Sequence, residues 1–213
     1  MYEKERAKSS THFTFGISVD CVVFGFDGSD VKVLVIKRGT EPYKDFSAIP
    51  GDLVHEQEDP LDATKRVLNE LTGLKNIYLE QLKAFAGVNR HPLGRVVTIA
   101  YYSLIKIDDY NPRPSSWATD ATWTSIQDIK EMAFDHFEIF SSALNRLQER
   151  VCLRPIGFEL LPEEFTLAQL QHLYEKLLNQ TFDKANFRKK ILGMDLLIPC
   201  LLYTSDAADD GLS

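Results

Sequence analysis

A chain of 213 residues with 44% hydrophobic and 26% charged side chains is long enough for one ordinary domain and a smaller second module. No apolar run approaches the ~20 residues needed to cross a bilayer, and the N-terminal segment MYEKERAKSSTHFTFG lacks a signal-peptide core, which argues against export and gives a cytoplasmic expectation. The net charge of −7 disfavours a generally basic nucleic-acid binder, but Asp206, Asp209 and Asp210 carry part of it in a stretch without basic residues, so local clustering matters more than the sum.

From Phe13, FTFGISVDCVVFGFDGSDVKVLVIKRG reads as two buried strands joined at Asp27-Gly28, a dipeptide that accepts the positive φ of a tight turn. The loop TEPYKDFSAIPGDLVHEQE follows. Asp59 can then cap a helix with Pro60 in its first turn, and Gly73 closes it. Leu61, Thr64, Leu68 and Leu71 give that helix an apolar stripe, with Arg66 and Glu70 on another face. YLEQLKAFAGVNR and RVVTIAYYSLIKI are strand-like around His91-Pro92-Leu93-Gly94. A loop at NPRPSS, a short strand at Ala121 to Thr124 and helical sequence from Ser125 to Arg150 complete a mixed α/β sheet covered by helices. Pro155 interrupts the chain. Beyond it, a helix from Thr166 to Asn179, with Leu167, Leu170, Leu173, Tyr174 and Leu177 on one face, precedes a second helix beginning near Asp183. Cys21, Cys152 and Cys200 are odd in number and lack ligand spacing, so they read as reduced structural thiols. His136 opens its helix as a cap or packing residue, with no partner at metal-ligand spacing.

The stretch from Gly51 to Leu74 resembles the Nudix box. Counting back from Gly73 and Leu74, Arg66 matches the box arginine, Glu70 the first glutamate of the late pair and Glu58 the early loop glutamate, while Gly51 implies a one-residue insertion. Val67 replaces the glutamate after the arginine, and Leu71 the second glutamate of the late pair. Carboxylates three and four residues apart share a helical face and can jointly hold hard divalent cations. With Val67 and Leu71 in place, no catalytic residue, metal or cofactor is expected. The alternative is a pyrophosphohydrolase acting on a nucleoside diphosphate derivative through unconventional ligands. Arg66 and Glu70 are either an ordinary i, i+4 ion pair or a brace for the loop that carries Glu58.

This degenerate box, the motif NRHPLGRVVTIAYYSLI and the segment PIGFELLPEEFTLAQLQ together resemble the NrtR-type family of Nudix-related transcriptional regulators, roughly from Phe13 to Leu197. LPEEFTLAQLQHLYEKLLNQTFDKANFRKKI is most similar to its sugar-catabolism branch, which includes arabinose regulators. The resemblance implies a Nudix-like effector domain over 13–150 without hydrolase activity. It also implies a winged helix-turn-helix domain over 151–199 that binds operator DNA as a homodimer. The final CLLYTSDAADDGLS resembles adapter read-through, so 200–213 reads as a non-native tail and the winged domain as truncated, its wing missing.

Lys184, Asn186, Arg188, Lys189 and Lys190 crowd the second C-terminal helix, where they can meet phosphates and base edges, while Phe187 and Ile191 face inward. The same charges would also suit the end of a solvated helix. For the effector, Arg38, Arg90 and Arg95 stand at strand ends and can grip phosphate or hydroxyl oxygens. Asn89 and Glu58 supply acceptors for a sugar. Phosphate would favour the arginines and a nucleotide-sugar such as ADP-ribose, a free pentose the acceptors, and the sequence leaves both open.

Overall fold

The computed structural model describes residues 15–110, 112–153, 156–194 and 197–198. The sequence expectations for Pro155, Cys200, the segment before Phe15 and the tail 200–213 lie outside these residues. A mixed seven-stranded sheet runs β3 (Ser47–Ala48), β2 (Val31–Arg38), β1 (Gly16–Phe26), β6 (Val96–Lys106), β5 (Glu80–Phe85), with β4 (Gly51–Leu53) on β1 and β7 (Ala118–Ser125) on β2. Its long members are β1, β2 and β6.

Asp27 and Gly28 make the β1–β2 turn as expected: the Asp27 carboxylate accepts the backbone N–H groups of Ser29 and Asp30, and Gly28 takes φ 87°. β1 and β2 then pair only from Phe24 to Phe26 and splay apart. The fork is filled by the expected loop, which contributes β3 (Ser47–Ala48) to β2 and β4 (Gly51–Leu53) to β1. Strands of two and three residues are too short to show a period. β5 (Glu80–Phe85) pairs antiparallel with β6, which runs parallel to β1. β7 (Ala118–Ser125) is longer than expected because it pairs along most of β2.

The box helix α1 (Pro60–Thr72) starts at Asp59, whose side chain accepts the Leu61 N–H, and stops at Gly73, which takes the left-handed conformation with φ 76°. Its buried stripe is Ala63, Thr64, Val67, Leu68, Leu71 and Thr72, whereas Leu61 is exposed. This stripe packs with Val19, Cys21, Val23, Leu34 and Ile36. The alternate residues Val22, Phe24, Val33 and Val35 face the opposite core with α2 (His136–Leu153), as the period of two in a strand requires. The helix begins at His136 rather than Ser125. Residues up to Asp135 turn back across the sheet, and Phe134 takes a left-handed backbone at φ 54° that interrupts helical continuation.

A 3-10 turn at Ile156–Leu160 leads to α3 (Leu167–Leu178) and α4 (Lys184–Leu192). Thr166 caps α3 in a reciprocal box with Gln169, and Asp183 caps α4. Leu160, Leu161, Leu170, Leu173, Leu177, Phe187 and Ile191 belong to the same apolar core as Val22 and Phe24. Polar contacts join the modules too: the His172 ring nitrogen Nε2 lies 2.8 Å from the Ser29 carbonyl, and Gln148 donates to the Leu177 carbonyl (2.8 Å). No helix among the described residues is long and apolar enough to cross a membrane.

Candidate functional site

A cavity of about 580 Å³ opens where β1, β4, the 90–96 turn and the start of α2 converge. Arg38, Arg90 and Arg95 all line it, with Asp20, Asp52, Trp117 and Phe134 among the other walls. Glu58 and Asn89 do not: Asn89 is exposed in the preceding turn, and Glu58 faces α1. Arg90 differs from Arg38 and Arg95 in how many donors it has left, and those two differ in what holds the guanidinium.

Arg90 is engaged through all three of its nitrogens. Its Nε and Nη2 bind the two Asp135 oxygens at 2.8 and 2.7 Å, Nη1 donates to Thr98 Oγ1, and Asp20 lies 3.7 Å away. Arg95, half-buried, also donates one hydrogen bond, to the Gly87 carbonyl at 2.7 Å, and has no aromatic ring over it among the described residues. Arg38 donates only Nε, to the Pro42 carbonyl at 2.9 Å.

Beneath the arginines, Asp20 and His136 form a buried pair, His136 Nε2 lying 3.5 Å from Asp20 Oδ1 and its Nδ1 accepting the Ile49 N–H. His136 is thus a packing residue in the first turn rather than a cap. Asp20, Trp117, Phe134 and Asp135 escaped the sequence reading; a charged residue in the apolar run SVDCVVF was the available signal, since buried acids are rare unless partnered. Burial pushes the Asp20 carboxyl up to about 7 against the opposing pull of Arg90. Burial holds the His136 imidazole down to about 3.

The signs oppose each other. With its folded value raised, Asp20 contributes stability that is complete below 3.8 and lost as pH rises to about 7. His136, depressed, contributes stability present above 6.5 and lost as pH falls toward 3. The two slopes cancel over most of the range between. Removing one exposes the other: Asp20→Asn is expected to gain about 2 kcal/mol of stability relative to the parent between pH 5 and pH 7. Urea unfolding of both proteins across that range tests this, and a constant difference would refute the assignment.

The box helix stands apart from the cavity. Arg66 grips both Glu58 oxygens (2.7 and 2.9 Å), Glu70 (3.2 Å) and the Leu53 carbonyl (2.9 Å), so it braces the box loop. This hydrogen bonding holds the Glu58 carboxyl down to about 2. Val67 and Leu71 are each 1% exposed, within the apolar packing under α1. A magnesium ion of the kind the box resemblance brings to mind requires several free oxygen ligands. Glu58 and Glu70 are already shared with one guanidinium, and the other two box positions are hydrocarbon, so these residues do not fit the ion.

On the second module, Phe187 and Ile191 turn inward, Phe187 packing on Tyr174 and Phe182. Lys184, Asn186, Arg188, Lys189 and Lys190 are all exposed. None of these cations forms an ion pair among the described residues. A short helix that buries two hydrophobes and presents unpaired cations has the layout of a recognition helix.

Comparison with known proteins places both modules. The NUDIX domain family matches residues 14–143, and the NrtR DNA-binding winged helix domain matches residues 157–207. The chain is 31% identical over 180 residues to the ADPR responsive transcriptional repressor NtrR of Acinetobacter baylyi, covering 83% of this chain and 72% of that protein. It is 29% identical over 117 residues to the ADP-ribose pyrophosphatase of Methanocaldococcus jannaschii, covering 55% and 68%. The NrtR of Shewanella oneidensis complexed with a 27mer DNA superposes with a TM-score of 0.74 at 27% identity, over 91% of this chain and 90% of that one. The NUDIX domain of the same protein complexed with ADP ribose gives 0.62 at 25% identity, over 69% and 99%. The chain belongs to the NrtR-type family of DNA-binding transcriptional regulators, in which a Nudix ligand-binding domain precedes a winged helix.

Proposed function

We propose that this protein couples operator binding through α4 to a nucleotide-sugar of the ADP-ribose class held in the Nudix cavity, as a homodimer and without hydrolysing it. The observation that carries this reading is the separation of the two sites: the arginine-lined cavity is retained, while α1 supplies none of its walls and holds its carboxylates on Arg66. The names of the relatives favour ADP-ribose. A free pentose, and with it an arabinose or wider sugar-metabolism role, lacks that support, and its suggested acceptors Glu58 and Asn89 are outside the cavity. An effector changes DNA affinity only by binding the two arrangements of the protein unequally, and DNA must change effector affinity by the same factor.

The test begins with duplexes enriched from a random pool by the intact chain. Arg188→Ala with Lys189→Ala is expected to weaken binding roughly 10- to 100-fold and to flatten the dependence on salt, by about 0.9 in the log–log slope for each phosphate that is no longer neutralised. Unchanged affinity would remove α4 from the interface. ADP-ribose titrated into the complex is expected to shift its affinity. Magnesium-dependent conversion of ADP-ribose to AMP and ribose 5-phosphate, abolished by Glu70→Gln, would replace this reading with the hydrolase alternative suggested by similarity to the archaeal pyrophosphatase. A sedimentation mass of one chain, alone and on DNA, would overturn the dimer.

A further inference from the structure

Cation reading in the cavity is unequal, and the inequality lies in what holds each arginine. The Arg38 guanidinium carbon sits 4.8 Å from the centre of the Trp117 ring and 4.9 Å from that of Phe134. Both rings are themselves fixed. Trp117 donates its indole N–H to Asp52 Oδ2 at 3.2 Å, and its carbonyl accepts the Gly39 N–H at 2.9 Å. Phe134 stacks on His91 (5.0 Å between centres, 12° between planes) and meets Tyr43 edge-on at 4.7 Å.

A guanidinium has five N–H donors. Arg38 spends one on the Pro42 carbonyl, and among the described residues its two terminal nitrogens have no hydrogen-bond partner and no carboxylate within ion-pair distance. Burial lowers its affinity for its proton, offset only by the more distant charges of Asp52, Asp20 and Glu41. Aromatic faces attract the cation without occupying its in-plane donors. The guanidinium is therefore held by its faces while its edge is left open.

We propose that Arg38, pre-oriented by Trp117 and Phe134, is the residue that reads the diphosphate of the effector, and that Arg90 is part of the scaffold. The inference rests on the nucleotide-sugar reading above and deepens it by assigning the anion contact. A planar fork with two free nitrogens matches two phosphate oxygens at once, which a lysine ammonium does not reproduce. Arg90 already commits its Nε–Nη2 edge to Asp135, and turning that fork to a phosphate would leave a carboxylate unpaired beside the buried Asp20. Trp117 and Phe134 are positioning residues that act through Arg38.

Calorimetric titration of ADP-ribose into the full chain tests the assignment, with melting temperature as the control for folding. Arg38→Ala is expected to weaken binding roughly 10- to 100-fold, the range for loss of a charge-assisted hydrogen-bond pair. Arg38→Lys should recover only part of this, and Arg95→Ala should cost no more than about fivefold, as expected for a partly exposed charge that no ring pre-orients. Trp117→Leu is expected to weaken binding several-fold in the parent and to have no further effect in the Arg38→Ala background, the non-additivity of residues acting on one contact. Equal losses from Trp117→Leu in both backgrounds would make Trp117 a general structural residue and overturn the proposed positioning. Arg38→Ala within about threefold of the parent would overturn the anion assignment while leaving the effector reading intact. A parent protein that binds no ADP-ribose would overturn both.

Discussion

Gly51→Ala is expected to lower the stability of the protein by about 3 kcal/mol or more, at the upper end of overpacking in a closed core. Gly51 is buried in β4 where that strand crosses β1, in register with Asp20. A Cβ at this position would overlap Asp20 Oδ1 and stand 2.9 Å from the Val19 carbonyl oxygen. Neither atom can yield easily. Asp20 is wedged between His136 and Arg90, and the Val19 carbonyl belongs to the central strand. For a chain of this size the loss corresponds to a fall in melting temperature of roughly 6–12 °C. Asp20→Ala placed in the same chain should restore part of it, because one of the two collisions disappears while that with Val19 remains. Thermal unfolding of the two single variants and the double variant checks the argument. A fall under about 2 °C for Gly51→Ala would mean that the fork between β1 and β2 opens more readily than its packing suggests. The box glycine thus has a structural role here that is independent of any metal, namely to let β4 close over the carboxylate of Asp20.

That role was hidden from the sequence because it depends on a partner 31 residues away. Features decided by neighbours in the chain were legible: Asp59, Pro60 and Gly73 bound α1, Asp27 and Gly28 make the hairpin turn, Thr166 caps α3, and α4 begins next to Asp183. Arg38 and Arg95 were legible as residues at strand ends; Arg90 lies instead in the turn after β5, which stops at Phe85, and all three line the cavity. What each arginine does there was not legible. Asp135 takes up Arg90 from 45 residues downstream, and Trp117 and Phe134 reach Arg38 from the turn before β7 and from the turn before α2. Arg66 was legible as a possible brace for the loop that carries Glu58, but not that it takes both Glu58 oxygens across eight residues and so leaves no acceptor for a sugar. Apolar periodicity reports which side of an element is buried; it does not report which polar groups are already spoken for.

Restoring the box carboxylates at Val67 or Leu71 is expected to damage the fold rather than create a hydrolase. Both side chains are 1% exposed and share the core with Val19, Leu34, Ile36 and Leu68. A glutamate at either position must stay protonated without a partner, ionise in hydrocarbon, or draw water beneath α1. The first option alone forfeits a polar group's hydration, and an uncompensated buried charge costs about 3–5 kcal/mol. Val67→Glu and Leu71→Glu should therefore each lower the melting temperature by roughly 6–20 °C. A bound metal could offset this only if the new carboxylate and Glu70 reached it together, but Glu70 is held 3.2 Å from Arg66, which also fastens both oxygens of Glu58. Since a ligand that binds only the folded form raises its stability by mass action, the decisive measurement is melting with and without millimolar magnesium, followed by assay for ADP-ribose cleavage. Melting temperatures that ignore magnesium, with no cleavage, are expected if the helix face is sealed. Recovery by magnesium, or the appearance of AMP, would show that α1 presents this face to the cleft.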